Sequence, residues 1–248
     1  MDEFVHQAII DEFRAHAKQR GFPCIAANDA VTKSTLRYYV ADHMACPKDD
    51  CKMLRFIYEF VDEFRKTEGG YHSVAILFRN PAEITEDIFE QLLWQRLQAL
   101  SDLDAKNYKY DPRVDQSVSS PHFSFSLKEE AFYVIGLHSA NQREARRFKY
   151  PTLIFNPHAQ FERLRESGQY GKMQSIVRQR DKTYSGSVNP MLADFGESSE
   201  VFQYSGRMYP KDWKCPLNPK HESTHHHSPE KRDLAPAKER PASTDHRS

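Results

Sequence analysis

The chain has 248 residues, of which 39% are hydrophobic and 28% charged, a composition that excludes a wholly disordered protein. Its 35 basic and 35 acidic side chains cancel, so no overall charge attracts nucleic acid or an anionic membrane. No apolar run approaches the roughly 20 residues of a membrane helix, and the acidic first residues lack the pattern of a signal peptide. We therefore expect a cytoplasmic protein.

Helices alternate with apolar strands along most of the chain. Helical periodicity is found over residues 4–18, 54–66, 85–100 and from Pro157 to about residue 177. Strand patterns, with a hairpin turn at residues 128–130, are found over residues 73–78, 119–126, 131–137 and 152–155. This order predicts an α/β fold, or a mixed α+β fold, in which helices cover one central sheet.

The local topology between residues 131 and 155 stays open at this stage. A basic connection over residues 141–148, predicted to be helical, links two strands there. This connection is near the lower length limit for a parallel crossover.

Composition changes sharply after Cys215 and Pro216, where His, Pro, Ser, Lys and Glu replace apolar residues. We therefore expect one domain over residues 1–216 and a disordered tail over residues 217–248. The three histidines at residues 225–227 are compatible with weak metal binding, but a solvated tail is the simpler interpretation.

Two histidines follow predicted strands, His138 and His158, in the region where α/β sheets bind ligands. Each side chain has an alternative structural role, in which it satisfies buried carbonyl groups. Between them Arg143, Arg146 and Arg147 form a basic run, which indicates either a solvated helix face or a clamp for carboxylate or phosphate. The loops over residues 186–192 and 203–207 combine polar and apolar residues as pocket linings do. The sequence contains no nucleotide-binding, nucleophile-elbow or zinc-protease motif.

At these positions the sequence resembles the YqcI/YcgG family. The motifs that carry the resemblance run in order from residue 22 to residue 216. They are Phe22-Pro23-Cys24, Ala26-Ala27, residues 123–126, Gly136-Leu137-His138, Arg143, Arg146-Arg147-Phe148, residues 155–165, Arg180-Asp181, and residues 186–192 and 203–207.

The resemblance implies a heme-dependent monooxygenase. Characterised members of the family are oxidoreductases that hydroxylate a guanidine nitrogen, one on arginine and another on the cyclic relative enduracididine. The implied cofactor is heme b, and the implied partners are a guanidino or amino-acid substrate, molecular oxygen and an electron donor. The substrate does not transfer with the fold.

The resemblance also implies roles for single residues. His138 is the first candidate for the heme ligand and so for binding the metal, His158 is the second or a catalytic group near oxygen, and Cys24 is the third. Arginines of the basic run would bind the heme propionates: Arg143, Arg146 and Arg147. A substrate guanidinium needs a carboxylate, for which the candidates are Glu162, the one taken as catalytic, Asp181 and Asp194.

Two other functional classes remain open. A non-catalytic heme carrier or sensor would use the same histidines. A metal-free binding protein for small molecules would use them only to stabilise its structure.

Overall fold

The computed structural model of the protein describes residues 2–191, 196–210 and 212–221. The strands in these ranges are β1 (Leu36–His43), β2 (Ser73–Asn80), β3 (Phe125–Leu127), β4 (Glu130–Leu137) and β5 (Thr152–Pro157). The helices are α1 (Asp2–Ala17), α2 (Ile25–Thr32), α3 (Asp50–Phe64), α4 (Glu86–Asp104), α5 (His158–Glu166), α6 (Tyr170–Ser185) and α7 (Val201–Tyr204). None of these helices is both long and apolar enough to cross a membrane.

The five strands form one mixed sheet in the order β1-β2-β5-β4-β3. Strand β1 is parallel to β2, and every other neighbouring pair is antiparallel. The fold is the predicted α/β arrangement, a single domain in which helices cover a central sheet.

Strand β2 is buried on both faces, as its unbroken apolar sequence predicts. Its residues Val74, Ile76 and Phe78 belong to a core that includes side chains of α3 and α4. Ala75 and Leu77 belong to a second core on the opposite face, with side chains of α1 and α2. The sheet therefore lies between two helical layers.

Local signals fix several of the element ends. Thr85 precedes α4, and its Oγ1 accepts a hydrogen bond from the backbone N–H of Ile88 at 3.3 Å, which caps the helix. Lys128 and Glu129 have positive φ values of 54° and 55°, so the predicted hairpin turn between β3 and β4 is confirmed.

The structure resolves the open topology between β4 and β5, which are antiparallel and not a parallel crossover. The connection that was predicted to be helical contains only one 3₁₀ turn, Glu144–Arg146. Since a parallel connection must carry the chain back along the whole strand, this loop is too compact for one.

The structure differs from the prediction in three further places. Strand β1 was not predicted, and the strand predicted over residues 119–126 is regular only from Phe125. The helix predicted from Pro157 is two helices, because Gly168, with a φ of 68°, follows the end of α5.

The predicted tail boundary at residue 217 is also corrected, because residues 217–221 pack against the domain. Leu217 is 2% exposed, within the core that includes α3 and α4. His221 Nε2 lies 2.9 Å from Asp104 Oδ2, and both side chains are buried. Asn218 exchanges two hydrogen bonds with the side chain of Gln98. The rest of the predicted tail, residues 222–248, lies outside the described residues.

We predict that Leu217→Ala lowers the free energy of unfolding by about 2–5 kcal/mol, because it leaves a cavity in the core. Met208→Ala is the matched control: Met208 is 66% exposed, so its truncation should change stability by less than about 0.5 kcal/mol. Urea denaturation of both variants measures the difference. Equal stability of the two variants would show that residues 217–221 do not anchor the domain.

Candidate functional site

A cavity of about 270 Å³ lies against the sheet face that α1, α2 and α6 cover. Strand β4 contributes Tyr133, Ile135 and Leu137 to its wall, and β5 contributes Ile154 and Asn156. These residues are two apart along each strand, so they project from the same face of the sheet. The cavity is thus built on rigid strands.

The helical side of the cavity is mainly apolar. Its larger side chains come from α1, the segment before α2, α5 and α6, and they are Phe13, Phe22, Phe161, Met173 and Val177. Apolar walls exclude water and strengthen the electrostatic interactions of the few polar groups among them. Those polar groups therefore determine what the cavity can bind.

Cys24 lines the cavity at the N-terminus of α2, where it caps the helix. Its Sγ accepts a hydrogen bond from the backbone N–H of Ala27 at 3.3 Å. Burial raises the pKa of the thiol, while the N–H groups of Ala27 and Ala26 and the charge of Arg146 oppose this rise. The sulfur is therefore protonated in the free protein, in a setting that would stabilise a thiolate bound to a metal.

His158 and Glu200 form a buried polar pair on the cavity wall. Nε2 of His158 lies 3.5 Å from Oε1 of Glu200. The other oxygen of Glu200 accepts hydrogen bonds from Ser124 Oγ at 2.8 Å and Tyr204 Oη at 3.4 Å. Since these neutral donors hold the carboxylate in place, the pair can hold and transfer a proton at a defined position.

Glu162 lies on the outer side of His158. Its Oε1 is 3.5 Å from Nδ1 of His158 and also accepts a hydrogen bond from Arg165. The side chain of Glu162 is 46% exposed, and it does not line the cavity. Its position suits orientation of His158 better than contact with a bound molecule.

The arginines of the basic run have three different environments. Arg143 lines the cavity and is paired with Asp181, 2.6 Å from Nη2 to Oδ2. Arg147 is exposed and donates hydrogen bonds to the carbonyl groups of Asn141 and Gln142, outside the cavity lining. Only Arg146 lines the cavity without a carboxylate within 4.0 Å among the described residues.

His138 lies on the opposite face of the sheet from the cavity. Its ring stacks on Phe89 of α4 at 4.3 Å, and its Nε2 is 3.1 Å from Nδ2 of Asn141. A Cβ at Gly136, two residues earlier, would also meet Phe89. The even-numbered positions of this strand therefore face α4, and His138, the first sequence candidate for the heme and metal ligand, does not line the cavity.

Other predicted site residues are only partly accounted for. Asp181 lines the cavity but is paired with Arg143 and accepts a hydrogen bond from the N–H of Asn189 at 3.1 Å. Asp194 lies outside the described residues. In the part of the chain that is described, no three His, Cys, Asp or Glu side chains form a group that could hold a metal ion.

The sequence profile of the YqcI/YcgG family matches residues 13–218, which include every described residue of this cavity. The chain belongs to the YqcI/YcgG family. It is 25% identical over 191 residues to the uncharacterized protein YqcI of Bacillus subtilis (strain 168), covering 74% of each chain. It is 27% identical over 206 residues to the uncharacterized protein YcgG of the same organism, covering 79% of this chain and 81% of that protein. No solved structure matches the chain.

The motifs that carried the family resemblance contribute Cys24, Arg146, His158 and Gln203 to the cavity. Sequence reasoning missed Glu200, because nothing in the surrounding residues marks it as buried. It also missed His16, whose ring packs on Phe22 and Phe148 beside the cavity. The sequence did contain a signal for these positions, because successive side chains of a strand project from opposite faces. This alternation along β4 predicts Tyr133 and His138 on different faces of the sheet.

We predict that His138 makes the stability of this YqcI/YcgG protein depend on pH. Burial, with a smaller effect of Arg146, lowers the pKa of His138 from 6.5 to about 4, so the unfolded chain binds more protons between these values. The contribution of neutral His138 to the free energy of unfolding is fully present above pH 6.5. It falls by up to about 3 kcal/mol as the pH drops towards 4.

The His138→Phe variant preserves the stacking on Phe89 and removes the titration. Its loss of the hydrogen bond with Asn141 has the same cost at each pH. Urea denaturation at pH 7 and pH 4.5 should therefore show wild type losing more stability than the variant on acidification. Equal losses would contradict the buried neutral state of His138.

Proposed function

We propose that this protein is a heme-dependent oxygenase that N-hydroxylates the guanidino group of arginine or a related amino acid. In this proposal it uses molecular oxygen and electrons from an external donor, in the cytoplasm. The observation that carries the proposal is the cavity, which combines a half-buried thiol, a buried imidazole–carboxylate pair and a guanidinium in an apolar wall. Membership of the YqcI/YcgG family adds support through the resemblance described above.

The residues of the cavity match what heme requires from a protein. Heme would need one side chain to bind its iron and apolar side chains around its ring. The cavity offers an apolar wall, and Cys24 and His158 are possible iron donors in it. When bound, heme supplies the activation of oxygen that no side chain of the cavity provides.

Of the two, Cys24 would be the better ligand for the iron. Both ring nitrogens of His158 lie 3.5 Å from a carboxylate oxygen, of Glu162 and Glu200, so binding iron would break one of these contacts. The Cys24 sulfur accepts a backbone N–H, and such a bond stabilises a coordinated thiolate. In this assignment His158 remains the catalytic residue predicted from the sequence.

Glu200 takes the role for which Glu162 and Asp181 were candidates. Asp181 is neutralised by Arg143 and Glu162 by Arg165, while no arginine of the described residues lies within 4.0 Å of Glu200. A carboxylate in this position can accept hydrogen bonds from a guanidinium, and His158 beside it can take up or release a proton.

We predict that protein produced with ample heme has a stoichiometric Soret band, because Cys24 binds the iron. Cys24→Ala should abolish the band or shift it, and should remove the thiolate signature of the reduced carbon monoxide complex. His138→Phe is the matched control and should leave the spectrum unchanged. The measurement is absorption spectroscopy of the oxidised protein and of the reduced protein with carbon monoxide bound.

Other outcomes of this experiment are equally informative. A band that depends on His158 and not on Cys24 would overturn the assigned ligand. A protein that binds heme stoichiometrically but hydroxylates no guanidino compound would be a carrier or sensor.

We predict that Glu200→Gln lowers kcat/KM for a guanidino substrate at least roughly tenfold, because a charge-assisted hydrogen bond is lost. The heme content should not change, since Glu200 does not bind the cofactor in this proposal. Glu162→Gln, the matched control on the exposed side of His158, should reduce kcat/KM less. Steady-state kinetics of both variants test this, and a larger effect at Glu162 would contradict it.

A second candidate is a metal-free protein that binds small molecules. It is favoured by the raised pKa of the Cys24 thiol and by the two carboxylates that occupy the ring nitrogens of His158. Protein that remains colourless after production with ample heme would support this function.

A further inference from the structure

Arg146 is a half-buried cation that has no carboxylate within 4.0 Å among the described residues. Its Nη1 donates hydrogen bonds to the main-chain carbonyl groups of Gly136, at 3.2 Å, and Tyr204, at 3.4 Å. Its Nε and Nη2 donate no hydrogen bond to a described residue. The other two arginines of the cavity wall, Arg143 and Arg165, each have a carboxylate partner.

This environment is unfavourable for a guanidinium in the free protein. A charge that is partly removed from water is normally paired, because an opposite charge offsets the lost hydration. Burial lowers the pKa of Arg146, which reports the same cost, although arginine stays charged in proteins. An anion that enters the cavity would remove this cost.

The guanidinium is also held in one orientation. Two main-chain carbonyl groups fix Nη1, and Gly206 packs beside the side chain with a φ of 82°. A Cβ at Gly206 would lie 2.8 Å from Asn141 Nδ2 and 3.6 Å from Arg146 Nη1, so a larger residue would disturb this arrangement. A preorganised guanidinium with free donors suits the two oxygens of a carboxylate.

We propose that Arg146 forms a carboxylate-binding subsite of the cavity, which selects organic acids over their neutral analogues. The adjoining apolar wall would contact the hydrocarbon part of such a ligand. The inference deepens the proposed function and rests on it where it names the ligand, because the carboxylate belongs either to the amino-acid substrate or to a heme propionate.

The charges near Arg146 favour the substrate, over a heme propionate, as the source of the carboxylate. Burial raises the pKa of the Tyr133 phenol, and the charges of Arg146 and Glu200 act on it in opposite directions. Both charged groups therefore lie around one tyrosine of the cavity wall. A ligand with a carboxylate at one end and a cationic group at the other would complement both.

The test compares carboxylates with their carboxamides on the full chain. The probes are L-arginine, 4-guanidinobutyrate, hexanoate and benzoate, each beside its amide, with thermal stabilisation and calorimetric Kd as the readouts. Wild type should bind at least one acid more tightly than its amide by roughly tenfold or more. Arg146→Gln should lose this preference, and Arg147→Gln, the matched control outside the cavity, should retain it.

Heme content of the same variants distinguishes the two sources of the carboxylate. If Arg146→Gln loses the preference for acids and retains heme, the subsite binds the substrate. If Arg146→Gln loses heme but prefers acids over amides as strongly as wild type does, the subsite binds a propionate. Arg146→Lys keeps the charge without the fork, and it should retain part of the preference if the glutamine variant does not fold.

The proposal is overturned if wild type binds no acid more tightly than its amide and Arg146→Gln retains its heme. This result differs from a failure of the proposed function. A colourless wild-type protein that still prefers acids would end the oxygenase proposal and leave the carboxylate subsite intact.

Discussion

The alternation of side chains along β4 is the constraint on which the site depends. Tyr133, Ile135 and Leu137 project into the cavity, while Gly136 and the following His138 face α4. Both faces are buried, so a shift of one residue in register would move polar groups into one core and apolar groups out of the other. The antiparallel pairing of β4 with β5 fixes this register, with Phe132 opposite Pro157 at one end and Leu137 opposite Thr152 at the other. It also sets the cavity residues Ile154 and Asn156 beside those of β4.

The polar groups of the cavity divide into those the protein neutralises and those it does not. Arg143 and Asp181 satisfy each other, and their pairing connects the loop after β4 to α6. Glu200 is held by the hydroxyl groups of Ser124 and Tyr204, which fix its position without cancelling its charge. Arg146 is held by carbonyl groups in the same way. Among the described residues, Glu200 has no arginine and Arg146 no carboxylate within 4.0 Å, so these are the charges that a ligand can complement.

Much of the fold was accessible from the sequence, because hydrophobic periodicity is a local property. Helices α1, α3 and α4 and the unbroken apolar strand β2 were predicted for this reason, with differences only at their ends. Strand β1 was not, since Arg37, Tyr38 and Tyr39 at the sheet edge interrupt its apolar pattern. The packing of Leu217 and His221 depends on partners more than 100 residues away, such as Asp104, and polar composition gave no sign of it.

The candidate site was predicted in its residue types but not in its arrangement. Cys24, His158 and Arg146 come together as the motifs suggested, whereas the alternation of β4 directs His138 to the other face. Glu200 was missed because the burial of a carboxylate depends on the tertiary packing of Ser124 and Tyr204 around it.

The proposed function requires heme in the cavity between β4 and α6, bound through Cys24. Anomalous scattering of iron, in crystals of protein produced with ample heme, tests this requirement. One iron site is expected in the cavity, within bonding distance of the Cys24 sulfur. An iron site beside His138 on the α4 face, or crystals without iron, would contradict it.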